Sequence, residues 1–301
     1  MSLPLSSYAL DRLQSLLSKP FEEATGDELK TIANDLVGNS RAGVDIDLLS
    51  RQELVENLEL RGEICRYLGE YEDAKDDYVE SLGLLKQVDG GDGIRARLCA
   101  GLAVLFELLG QPQNAKSYYK GAIDLFEGYD PPSALDIADL NNNLGFIYAA
   151  EGKTEKAESC LRRALDLTHQ SLGPDHEQTA LLFNNLGEFY FKVEDDELAR
   201  EMHEKALAAR IKNFGEVHGE TGQSYGNLAL ILIRTGNIKD GLQHFEMALE
   251  GFEKDLDAFG YDYEIVAANY RDVLESLGYD RAISVLDKRL TKHGFAWPQP
   301  A

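Results

Sequence analysis

Basic residues and cysteine are scarce in this chain of 301 residues, and each shortage closes off a class of function. Thirty Lys and Arg stand against 53 Asp and Glu, a formal net charge of −23. Nucleic-acid phosphates need a basic footprint, so no nucleic-acid partner is expected. Charge of this sign also disfavours laying the whole surface on anionic lipid. The three cysteines, Cys65, Cys99 and Cys160, are odd in number, far apart and without CxxC spacing. They read as reduced thiols of a cytoplasmic protein. No stretch approaches the ~20 apolar residues of a membrane-spanning helix. The opening MSLPLSSYALDRLQSLL lacks the basic segment and apolar block of a secretory signal. Enzyme signatures are missing too. Gly90-Gly91-Asp92-Gly93 is followed by no Lys-Ser/Thr pair, His176-Glu177 and His203-Glu204 lack the second histidine of HExxH, and no GxSxG occurs. The acid run Glu70, Glu72, Asp73, Asp76, Asp77 and Glu80 lacks the glycine offset of a calcium loop and reads as a solvated face. No catalytic activity, cofactor or metal is expected.

What the chain does have is a repeat. Asn143-Leu144-Gly145-x-x-Tyr148 returns 42 residues later as Asn185-Leu186-Gly187-x-x-Tyr190. Ala157 maps to Ala199, Gly173 to Gly215, His176 to His218 and Thr179 to Thr221 in the same register. Looser copies precede and follow, so that about six units run from 48 to 290, the last one degenerate. Within a unit, Leu140, Leu144, Ile147 and Tyr148 fall at helical spacing. A glycine (69, 110, 152 or 236) then sits where the first helix must turn. A second helix follows with Ala157, Leu161 and Ala164 on one face. Small residues at 62, 103, 145, 187 and 229, and alanines at 74, 115, 157 and 199, allow close helix packing. His176 and His218 fall in turns and read as helix caps. His203 and His244, isolated on second helices, are expected at helix surfaces.

The pattern L-G-x2-Y … A-x3-large … A is that of the tetratricopeptide repeat, usually ~34 residues long. It predicts an all-α, right-handed superhelix (an α-solenoid) of about six 42-residue helical hairpins. Residues 1–47 are expected to form an N-terminal helical cap that shields the first repeat, residues 48–290 the array, and 291–301 a C-terminal tail. The longer unit resembles the kinesin light chain repeat. The residues that carry the likeness are Leu172-Gly173-Pro174-Asp175-His176, then Thr179-Ala180 and Asn184-Asn185-Leu186-Gly187. The 47 residues before the array, interrupted by Pro20 and Gly26, cannot supply the sustained heptads by which animal light chains grip the motor. What remains is similar to the stand-alone bacterial kinesin light chain. That resemblance implies a non-enzymatic adaptor in the cytoplasm, associated with a bacterial tubulin filament of the cytoskeleton.

Candidate functional residues follow the same period. Asn143, Asn185, Asn227 and Asn269 form a ladder at 42-residue steps on the first helices. In tetratricopeptide arrays that helix lines the concave groove, where amides can hold a guest backbone whatever its side chains. The alternative is that the amides tie one repeat to the next. Lys192 and Arg234 are also repeat-equivalent and could attract an acidic guest, or be solvated helix ends. The C-terminal stretch is locally basic, with Lys288, Arg289 and Lys292 leading into Phe295 and the lone tryptophan, Trp297. That composition fits docking on a membrane surface or a partner, against the alternative of a tail folded back on the array. A peripheral membrane linker and a regulatory peptide-binding sensor are therefore the alternatives to the cytoskeletal adaptor.

Overall fold

The computed structural model describes residues 7–17, 19–42, 48–86, 91–129 and 131–295. Among these there is no strand, and helices follow one another in consecutive pairs, an all-α arrangement of the α-solenoid class. Helices α1 (Ser7–Leu16) and α2 (Gly26–Ala42) flank a 3-10 turn at Phe21–Glu23. Six hairpins follow: α3 (Leu48–Tyr67) with α4 (Tyr71–Leu85), α5 (Asp92–Leu108) with α6 (Pro112–Glu127), and α7 (Ala134–Ala150) with α8 (Thr154–Leu172). Then come α9 (Glu177–Lys192) with α10 (Asp196–Phe214), α11 (Gly219–Arg234) with α12 (Ile238–Phe252), and α13 (Leu256–Ser276) with α14 (Asp280–Lys292). The chain divides into two compact units, Met1–Ile147 and Tyr148–Ala301.

In α3–α4 and α9–α10 the large residue of the Ala-x3-large spacing on the second helix meets the small residue of the first. The Tyr78 ring lies so close to Gly62 that a Cβ there would collide with it. A Cβ on Gly187 would lie 2.7 Å from His203 Nε2. These pairs set the helix separation, and the side chain at the large position is buried: Tyr78, Tyr119, Leu161, His203, Phe245 and Leu286 are all at most 3% exposed. His203 is thus a core residue at 2%, not the surface histidine its isolation in the sequence implies. It occupies the slot that its sister repeats fill with Tyr, Leu or Phe. In the first unit Ala9 and Leu13 of α1 and Leu29 and Ala33 of α2 join Leu60 and Ile64 of α3 in one apolar cluster. In the second, Tyr225, Phe245, Phe252, Tyr263 and Tyr270 anchor the cluster of α11 to α14.

The turns repeat as faithfully as the cores. His176 Nδ1 accepts from Gln178 N and His218 Nδ1 from Glu220 N, each at 3.2 Å, so both histidines cap helices as their position predicts. Thr179 and Thr221 donate to the carbonyls of Gly173 and Gly215, at 2.7 and 2.8 Å. Inside the hairpins, Gly69, Gly110, Gly152, Gly236 and Gly278 take φ between +68° and +86°. The α9–α10 hairpin puts Glu194 there instead, at φ +64°. A left-handed L-residue costs roughly 1–2 kcal/mol, part of which glycine returns as unfolded-state entropy. Glu194→Gly is therefore expected to stabilise the second unit by about 0.5–1 kcal/mol. Urea unfolding should show a higher midpoint at unchanged slope, and a lower midpoint would refute the strain.

Candidate functional site

The ladder asparagines all lie on first helices and all are half-buried, but they do not behave alike. In the first unit Asn143 hydrogen-bonds the hydroxyl of Tyr119 on α6, which itself donates to Glu107 at 2.8 Å. Its amide therefore ties one hairpin to the preceding one. In the second unit Asn227 Nδ2 donates to Asn184 Oδ1 at 2.7 Å, joining α11 to α9. Asn184 in turn donates to Glu188 at 3.1 Å. Asn185 is half-buried on α9 and also has interaction partners. No described side chain hydrogen-bonds the Asn269 amide.

Two of the four, Asn227 and Asn269, line one cleft of about 200 Å3 built by α9, α11 and α13, with Phe252 of α12 also lining it. Asn184 and Gln223 bring two further amides to its wall, and Glu188 and Asp262 bring carboxylates. Leu230, Ile265 and Val266 supply apolar surface, and Ile265 is 43% exposed. Gln223 Nε2 donates to Asp262 Oδ1 at 3.2 Å, which fixes that carboxylate against α11. Behind the cleft, Arg210 is 3% exposed and donates to the Glu220 carbonyl at 2.9 Å and to Ser224 Oγ at 3.0 Å. Its guanidinium also pairs with the Glu220 carboxylate at 3.2 Å. Burial lowers the pKa of Arg210, and the field of Glu220, Glu177, Glu188 and Asp262 offsets part of that.

Apart from the ladder, the cleft residues carry no repeat signal. The counterpart of Asn184 in the next repeat is Gly226. Helix geometry nonetheless points to the rest. Gln223 and Leu230 lie one turn either side of Asn227, and Asp262 and Val266 lie on the stripe of Asn269. Steps of three or four residues along the helix from Asn227 and Asn269 reach Gln223, Leu230 and Val266, and a step of seven reaches Asp262.

The two repeat-equivalent cations are placed differently from one another. Arg234 stacks on Phe191, 3.7 Å from the ring centroid, donates to the Phe191 carbonyl at 3.3 Å and pairs with Asp196. It thereby holds α11 to the end of α9 and the start of α10. Lys192 is exposed at the last turn of α9. The tail set also divides. Arg289 grips Glu253 through Nε at 2.6 Å and a second nitrogen at 3.0 Å, and reaches Glu246 at 2.6 Å. Tyr263 and Tyr270 donate to the same two carboxylates at 3.0 and 2.8 Å. Burial works against the Glu253 charge, but Arg289 and Tyr263 together hold its carboxyl below the usual range. Phe295 packs on Tyr263, ring centroids 5.2 Å apart, and beside Gly260. Lys288 and Lys292 are exposed, and Trp297 lies outside the described residues.

A larger hollow of about 390 Å3 in the first unit collects Glu70, Asp73, Asp76, Asp77 and Glu80 between α2, α3 and α4. Lys30 pairs with Glu70 there and Arg61 with Asp77. Among the described residues no cluster of His, Cys, Asp or Glu has the arrangement of a metal site. Nor is any described helix long and apolar enough to cross a membrane.

Comparison with known proteins bears on the fold. The Tetratricopeptide repeat family matches residues 54–128, 136–210 and 178–254. Among solved structures, BtubC (BKLC) from P. vanneervenii superposes with a TM-score of 0.65 at 23% identity, over 75% of this chain and 90% of that one. The apo form of RapI gives 0.61 at 16% identity, over 80% of this chain and 91% of RapI. A putative kinesin light chain from Podosopora anserina with nearly identical TPR-like repeats gives 0.53 at 17%, over 71% and 96%. At these identities the likeness is one of fold. Among curated protein sequences none matches significantly. Consecutive helix pairs, and a family match over most of the chain, lead to one assignment: the chain belongs to the tetratricopeptide repeat family.

Proposed function

We propose that this protein is a non-catalytic adaptor that holds a segment of a protein partner in the cleft of α9, α11 and α13. The observation that carries the reading is the convergence there of four amides with exposed aliphatic surface. Amides recognise backbone groups, and the aliphatics reward any apolar side chain laid on them. The resemblance to the kinesin light chain repeat extends the proposal to a bacterial tubulin filament as partner, and so to a cytoskeletal place in the cytoplasm. A peptide-sensing role would use the same cleft. The membrane reading is weaker, since Arg289 and Phe295 are spent on α12 and α13 and leave Lys288 and Lys292 as the outward charges.

Asn269→Ala tests the site cleanly, because the amide it removes supports no other described side chain. Loss of one guest hydrogen bond at about 0.5–1.5 kcal/mol should lower affinity roughly 2- to 10-fold. Co-sedimentation with polymerised bacterial tubulin is the measurement. If Asn269→Ala sediments as the parent does, the guest does not lie in this cleft. If the parent itself stays in the supernatant, the filament is the wrong partner.

A further inference from the structure

The sequence offers Lys192 and Arg234 for an acidic guest, but the cleft of α9, α11 and α13 is lined by carboxylates. Resting on the cleft reading above, we infer that the segment held between α9, α11 and α13 presents a lysine or arginine side chain to Glu188 and Asp262. The argument is one of charge complementarity within a walled site. Of the eleven residues that line the cleft, two are carboxylates, four are amides and none is basic. Each carboxylate is already oriented by an amide, Glu188 by Asn184 at 3.1 Å and Asp262 by Gln223 at 3.2 Å. A neutral amide fixes a carboxylate without cancelling its charge, and neither carboxylate has a cation within ion-pair distance among the described pairs.

The nearby cations are engaged elsewhere or make no ion pair with either carboxylate. Arg210 feels both carboxylates through the protein but is 3% exposed and bound to Glu220 and Ser224. Arg234 is held by Asp196 and Phe191. Lys192, a turn beyond Glu188 on α9, is exposed and makes no ion pair with it. Walls of low dielectric then focus the negative field into the opening. A guest ammonium or guanidinium would gain a charge-assisted hydrogen bond there. Its aliphatic stem would lie along Leu230, Ile265 and Val266, the usual way such side chains cover apolar surface.

The test pans a random peptide library displayed on phage against the full chain at physiological salt. The best peptide is then titrated calorimetrically against parent and variants. The expected result is that selected peptides share a Lys or Arg, and that replacing it by norleucine lowers affinity by about tenfold. Glu188→Gln with Asp262→Asn should remove that preference. Glu250→Gln with Glu264→Gln, an equal charge loss at exposed positions outside the cleft, should keep it. Equal weakening by both double variants would overturn the inference, because the attraction would then belong to the net charge of −23. Peptides without a basic residue whose binding still falls in Asn269→Ala would overturn it while leaving the cleft as the guest site. Failure to select any peptide above background would withdraw both.

Discussion

Arg97→Met should destabilise the first unit by about 3 kcal/mol, close to the loss expected on breaking a buried ion pair. Glu59 on α3 is 3% exposed, and its two oxygens accept from Arg97 Nε and a terminal nitrogen at 2.7 and 2.8 Å. The Arg97 guanidinium also lies 4.3 Å from the centre of the Tyr8 ring, and the Tyr8 hydroxyl accepts from Arg12 at 2.9 Å. One arginine thus ties α1, α3 and α5 together. Removing it strands a carboxylate in the core. Burial already pushes the Glu59 carboxyl above its ordinary range, and Arg97 is the largest opposing influence. Without Arg97 the folded-state pKa rises further, so the folded variant holds a proton that the unfolded chain releases. Its stability must then fall as pH rises through the interval between the unfolded and folded pKa values. Urea unfolding, with hydrogen exchange on α3 and α5 to localise the loss, should show the variant less damaged at acid than at neutral pH. Glu59→Leu combined with Arg97→Met should recover most of the stability, since no charge is then left unpaired. A single variant as stable as the parent would mean that the pair carries nothing.

How far the sequence discloses this molecule depends on whether a feature repeats. The helices, most of the turn glycines and the small–large spacing recur at about 42 residues, because the hairpins must solve the same packing problem. One period therefore exposes them all. The capping histidines are legible for the same reason. Features made once have no such echo. The cleft takes Asn184 from α9, Gln223 from α11 and Asp262 from α13, and none of these has a repeat-equivalent partner doing the same work. The ladder itself is misleading in part. Asn143 and Asn227 share a register, yet one meets Tyr119 and the other Asn184, because what an amide finds depends on the non-repeating residue opposite. The basic C-terminal stretch looks like a free tail in sequence. Arg289 is drawn inward by Glu246 of α12 and by Glu253 just after that helix, some forty residues earlier, which local composition cannot reveal.

His203 is where repeat logic and chemistry disagree most, and there the expected effect is a gain. The residue in register with His203 is apolar or aromatic in the sister hairpins, Leu161 and Phe245 among them, and is buried there. His203 fills the slot with an imidazole whose Nδ1 is buried and has no hydrogen-bond partner. An unsatisfied buried polar atom costs about 1–3 kcal/mol. Burial, with a further contribution from the Arg210 charge, lowers the pKa of the ring to about 4. The unfolded chain therefore takes up a proton near pH 6.5 that the folded chain refuses until about pH 4. Folding stability is complete above the first value, declines as pH falls between the two, and levels off below the second. Two and a half pH units at 1.36 kcal/mol each bound that decline at about 3 kcal/mol. His203→Phe should abolish it, leaving only the slope due to carboxylates, which parent and variant share. At neutral pH the same change should add about 1–2 kcal/mol by removing the orphaned nitrogen, less any strain of the larger ring against Gly187. His203→Leu, which carries the Leu161 solution into the slot, separates the two terms: it removes the titration without enlarging the ring. Urea midpoints of the three proteins from pH 7.5 to 4.5 provide the comparison. Parallel curves for parent and both variants would show that His203 does not resist protonation in the fold, and a lower neutral midpoint for both would show that the imidazole is held by a bond worth more than its burial costs.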